Sequence, residues 1–161
     1  MNKILLIIIA AMLIVSCDGN KIYDTYQTVE NNRWAANDSI VFEVNLKEVS
    51  KPLHVFLNMR TDANFPYRNL YVISKMTLPN GVTIKDTLEY EMADAYGKWL
   101  GEGLTDVKNN KLFFLENYKF PQEGTYQFEF TQAMRKRGEL QGLTELIGVR
   151  DVGLRIEKSQ N

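Results

Sequence analysis

The chain has 161 residues, 45% of them hydrophobic, and a formal charge of −1 from 19 basic and 20 acidic side chains. That length holds one domain with a single core. The near-neutral balance gives no electrostatic footprint for nucleic acid, and one cysteine excludes an intramolecular disulfide framework.

Residues 4–15 are unbroken hydrocarbon after a positive charge at Lys3, and Ser16-Cys17-Asp18 ends the run. Twelve helical residues rise about 18 Å, against roughly 30 Å of bilayer hydrocarbon. The segment is too short for a permanent span and has the layout of a secretory signal. Cys17, preceded by Ile14-Val15-Ser16, resembles the bacterial lipoprotein box. That resemblance implies cleavage before Cys17, a diacylglycerol thioether on its sulfur and an acyl chain on its new amino group. The alternatives are an ordinary signal peptide with a chance cysteine, or an uncleaved anchor. The expected organisation is a lipoprotein signal peptide over residues 1–16 and one lipid-anchored domain over residues 17–161.

Residues 18–27 read as a short tether entering the fold. Asn31-Asn32 and Asn37-Asp38 are turn chemistry, with Trp34 between them as a core plug. From Ser39 the period becomes two. Ile40, Phe42, Val44 and Leu46 alternate with Val41, Glu43 and Asn45, and Leu53, Val55, Leu57 and Met59 alternate with His54, Phe56, Asn58 and Arg60. A polar loop over 61–68 surrounds Phe65-Pro66-Tyr67. Residues 70–77 form a third strand, and Pro79-Asn80-Gly81 turns it into a returning strand over 82–90. Val82, Ile84 and Leu88 are expected to face inward there.

Residues 91–98 allow a short helix stopped by Gly97. Three glycines among residues 97–103 make a loop around Trp99. A brief strand is expected over 112–115. Tyr126, Phe128 and Phe130 share one face of a strand over 125–131, and Val152, Leu154 and Ile156 share one face of the last strand. Residues 132–146 fit either strand or a short helical piece. Seven to nine short strands with little helix point to an all-β fold, an antiparallel β-sandwich of jelly-roll or immunoglobulin-like type.

Catalytic chemistry finds little support in the sequence. His54, the one histidine, sits on the alternate face of a strand, the place of a packing or surface residue. Zinc sites need several Cys and His ligands, which are missing. Asp86, Glu89, Glu91 and Asp94 cluster without the spacing of a known calcium loop, and read as solvated strand edges and caps. The glycine loop places its lysine after the first glycine, unlike a phosphate loop. No catalytic residue, metal or cofactor is expected. Trp99 is either a core plug or an outward anchor for a partner, and Phe65 and Tyr67 pose the same choice.

Several stretches together resemble one family. They are Tyr23-Asp24-Thr25-Tyr26, Trp34, Phe65-Pro66-Tyr67-Arg68-Asn69-Leu70 and Asp86-Thr87-Leu88-Glu89. Further along come Gly97-Lys98-Trp99-Leu100-Gly101-Glu102-Gly103, Phe120-Pro121-Gln122-Glu123-Gly124-Thr125-Tyr126, Gln132-Ala133-Met134-Arg135 and Asp151-Val152-Gly153-Leu154-Arg155-Ile156-Glu157. In this order, after Cys17-Asp18, they resemble the gliding-motility lipoprotein GldH family of the Bacteroidota. The resemblance implies a cell-envelope lipoprotein without enzymatic activity, working beside other proteins of the gliding machinery. Outer-membrane attachment on the periplasmic side is expected over the inner membrane. A docking face containing Trp99, Phe65 and Tyr67 is the expected means of action. The rivals are a carbohydrate-binding envelope module and, behind it, a hydrolase using an acidic pair.

Overall fold

Alternating apolar side chains dictate a protein built from half-buried strands, and the computed structural model, which describes residues 19–159, has that form. The strands are β1 (Lys21–Thr28), β2 (Arg33–Ala35), β3 (Ile40–Leu46), β4 (Leu53–Thr61) and β5 (Asn69–Thr77). They continue as β6 (Thr83–Glu91), β7 (Lys108–Tyr118), β8 (Gly124–Gln132), β9 (Glu145–Ile147) and β10 (Val149–Lys158). One sheet has the order β1-β10-β4-β7 and the other β3-β8-β5-β6; β2 and β9 form a small ribbon beside them. Every pairing is antiparallel. The all-β sandwich expected from the sequence is the observed architecture. Among the described residues no helix is long and apolar enough to cross a membrane.

The inner faces are those the alternation named. Phe42, Leu57, Val72, Tyr126, Phe128, Phe130, Val152, Leu154 and Ile156 are all buried. Each such side chain contributes about 1.5–3 kcal/mol by leaving water. Phe114 of β7 meets Phe128 and Phe130 of β8 edge-on, with centroids 6.3 and 5.4 Å apart, which locks the two layers together. Side chains also join the layers at both flanks. Gln27 of β1 donates to the Val41 carbonyl of β3, and the Tyr90 hydroxyl of β6 donates to the Phe113 carbonyl of β7. Burial pushes the Tyr90 phenol up, and the Asp86 charge adds to the shift.

Three expectations need correction. Val82 and Ile84 are exposed because they lie around the start of β6, the edge strand of its sheet, while Met76 and Leu78 of the same hairpin stay buried. Residues 91–98 form a tight turn, not a helix: Asp94 Oδ1 accepts from the amides of Tyr96 and Lys98. The strand expected over 112–115 is eleven residues long. Asn110, outside the expected strand, is buried within it and donates to the Met59 carbonyl.

The outer face of the first sheet carries a charge network. Arg155 contacts Asp24 at 2.7 Å and also Glu157, and Lys111 reaches Glu157 at 2.8 Å. Burial alone would raise the Glu157 carboxyl; the hydrogen bonds and charges of Lys111 and Arg155 outweigh it and hold the carboxyl below its ordinary value. On the other sheet, the hydrogen bond from Lys75 does the same for Glu129. A carboxyl depressed on folding stabilises the fold above its unfolded pKa, and that contribution is lost as pH falls through the folded value. Denaturant unfolding at stepped pH should therefore show stability declining below the ordinary glutamate value of about 4.3. Lys111→Met should flatten that decline; an unchanged acid slope would refute the role given to Lys111.

Strand direction gives the sandwich two unlike ends. At one lie the start of β1, the end of β10 and three short connections, residues 47–52, 78–82 and 119–123. At the other lie residues 29–39, 62–68, 92–107 and 133–148, which carry the β2–β9 ribbon and the glycine loop. The polypeptide has placed its simple turns at the end where it enters the fold and its elaborate loops at the far end.

Candidate docking surface

The long loop of residues 92–107 is tied down at several points. Met92 and Ala93 both donate to the Arg68 carbonyl, and Leu100 donates back to the Met92 carbonyl at 2.9 Å. Ala93 and Trp99 form an antiparallel bridge, closed by Gly97 at φ +84°. Glu102 and Asn109 exchange both backbone hydrogen bonds, at 2.9 and 2.7 Å. Gly101 lies so close to Asn110 that a Cβ would stand 2.5 Å from its Oδ1. Such pinning fixes the loop before any partner arrives, which lowers the ordering cost of binding.

The three aromatics singled out in the sequence do come together, as the underside of this loop. Trp99 is half-buried, with its ring 6.0 Å from that of Phe65, and the Tyr67 ring lies 6.2 Å from Phe65. Phe65 itself is 2% exposed, so it supports the surface and cannot be part of its outer face. It is clamped against Gly148, where φ is +80° and a Cβ would sit 2.2 Å from the Phe65 amide nitrogen. Cys17 lies outside the described residues.

The side chains that project are others. Tyr96 is 96% exposed, Leu100 53% and Leu104 108%, and Leu140 at 94% stands on a second loop at the same end. Isolated exposed apolar residues are ordinary. Four large ones stand on the loops of this end, three of them on one pinned loop. Their signal in the sequence was large apolar residues set among glycines and charges, with no strand or helix period to bury them.

A groove of about 500 Å3 runs beside the loop, lined by Tyr26, Asn58, Glu91, Glu102, Lys111 and Arg155 among others. Tyr26 is its one aromatic, and the Arg60 guanidinium covers that ring at 4.2 Å. This leaves no open ring for stacking a sugar. Glu91 and Glu102 are both exposed, which is not the buried setting that lifts a catalytic acid. His54 packs against Phe56 and Phe113 and accepts the Asn117 amide on Nδ1. Among the described residues, no group of His, Cys, Asp and Glu is arranged to hold a metal ion.

Comparison with known proteins places this architecture. The family model for the GldH lipoprotein matches residues 21–156. The chain belongs to the GldH lipoprotein family. The match runs from the first residue of β1 nearly to the end of β10, so the family model covers the whole sandwich. A GldH homolog of Christiangramia forsetii, named a gliding motility lipoprotein, is 40% identical over 99% of this chain and 97% of its own. The gliding motility lipoprotein GldH of Flavobacterium johnsoniae is 37% identical over 95% of this chain and 94% of its own. Among solved structures, the VP2 subviral particle of infectious bursal disease virus aligns at 13% identity with a TM-score of 0.37. That alignment covers 84% of this chain and 30% of the viral one.

Proposed function

We propose that the protein is a non-enzymatic, lipid-anchored docking module of the gliding-motility machinery. Acylated Cys17 holds it on the membrane, and the loop end presents Tyr96, Leu100 and Leu104 to other envelope proteins. Attachment to the periplasmic side of the outer membrane suits this role. The observation that carries the reading is the opposition of the two ends. Cys17 lies four residues before Lys21, where β1 begins, so the sulfur is at most about 14 Å of chain from the fold. Tyr96, Leu100, Leu104 and Leu140 are at the opposite end. Confinement to the membrane raises the local concentration for neighbours held in the same layer.

Because Trp99 packs on Phe65, truncating it would disturb the loop as well as any contact. A cleaner test changes only projecting side chains: Tyr96→Ser, Leu100→Ser and Leu104→Ser together. Interface anchors cost more than 1 kcal/mol each when removed. Recovery of crosslinked envelope partners should fall at least about tenfold, with the unfolding midpoint unchanged. Undiminished recovery would defeat the docking role of this loop. Glycan-array binding lost in the same variant would favour a carbohydrate-binding module instead.

A further inference from the structure

The end where the chain enters the fold has its own chemistry. A second groove, about 370 Å3, lies there, lined by Ile22, Lys47, Ser50, Lys51, Leu53 and Lys158 among others. Two backbone hydrogen bonds build it. Lys158 donates to the Asn20 carbonyl at 2.9 Å and Ser159 to the Pro52 carbonyl at 3.2 Å, which ties the chain entry, the 47–52 connection and the end of β10 together.

Charge is distributed unevenly between the two ends. The entry end carries five lysines, Lys21, Lys47, Lys51, Lys119 and Lys158, against Glu48, Glu116, Glu123 and Glu157. All five are exposed. The loops of the far end carry six basic side chains against eight acidic ones. At the groove itself the excess is local: Lys47, Lys51 and Lys158 line it with one acidic side chain, Glu48. Glu157, beside Lys21 in register, is occupied by Lys111 and Arg155. Ile22 adds an apolar side chain, 41% exposed, at the lip of the groove.

We infer that this lysine-rimmed end rests on the membrane and takes the phosphate groups of anionic lipids. The inference rests on the lipid-anchored reading, which brings this end within about 14 Å of the lipid. Lysine heads reach the phosphates while their stems lie along apolar surface, and Ile22 points the same way. The contact fixes orientation: with the lysine-rimmed groove down, the loop end faces away from the bilayer.

The test uses the full protein extracted from its membranes in detergent. It is reconstituted into vesicles of phosphatidylcholine alone or of phosphatidylcholine with a third phosphatidylglycerol. An amine-reactive label read by mass spectrometry reports each lysine. Lys21, Lys47, Lys51 and Lys158 should react several-fold more slowly on the anionic vesicles, with Lys85 and Lys136 unchanged. Protection should vanish at on the order of 0.5 M salt, where screening shortens to about 4 Å. Lys47→Glu with Lys51→Glu should abolish it while the protein still pellets with both vesicle types. Equal labelling on both vesicle types, with the protein pelleted, would overturn this inference and leave the anchor intact. Pelleting with anionic vesicles only, reversed by salt, would support the basic face and overturn the anchor. No pelleting with either would overturn both.

Discussion

The Cys17→Ser variant, exported behind an ordinary cleavable signal, is expected to move almost wholly from the membrane pellet to the soluble fraction. Each methylene buried in a bilayer contributes about 0.8 kcal/mol, and one myristoyl chain binds only marginally. The two or three chains that a lipoprotein cysteine carries hold the protein for its lifetime, and serine has no thiol to receive the diacylglycerol. The described residues offer no helix as a substitute anchor. The lysines of the entry end would add an attraction that salt removes, so the fractionation is done in high salt. A variant that still pelleted under those conditions would show that the hold on the membrane lies elsewhere.

Trp34→Ala is expected to produce the largest loss of stability of any single change, about 3–5 kcal/mol. Trp34 is fully buried and sits on the three-residue β2, opposite Leu146 of β9. Its ring Nε1–H donates to the Asp38 carbonyl at 2.9 Å, which closes the turn leading into β3. Removing the indole opens a cavity at the loop end and leaves that carbonyl without its donor. Domains of this size typically have 5–15 kcal/mol in total, so the unfolding temperature should drop by about 10 °C or more. A change below about 1 kcal/mol in denaturant unfolding would mean that the β2–β9 ribbon is not part of the cooperative core.

The strands that were legible in the sequence are those with a polar outer face and an apolar inner one. In β3, β8 and β10 the alternation identified the buried residues directly, because the pleat allows one face only. Where the fold departs from that arrangement, the pattern misleads. Ile84 has the phase of a core residue, yet it sits on an edge strand and stays exposed beside buried Met76. Asn110 lies outside the expected strand, yet its amide is satisfied inside the sandwich. Phe65 was read as a possible surface anchor because its neighbours are polar. Its burial depends on Gly148, more than eighty positions away, which no local pattern reveals. On the glycine loop, Trp99 packs inward on Phe65, and Tyr96, Leu100 and Leu104 project from it. Trp99 is the largest residue there and drew attention, while smaller Leu100 and Leu104 were left to project.

The pairing of β1 with β10 also bears on how the protein would behave under load. β1 is an edge strand, joined to β10 through seven register pairs along its length. A pull on the lipid, resisted by a partner gripping the loop end, acts along the strand axis. The ladder is then loaded in shear, and its hydrogen bonds must yield together instead of opening one after another. That geometry resists a pull between a lipid anchor and a partner held at the loop end.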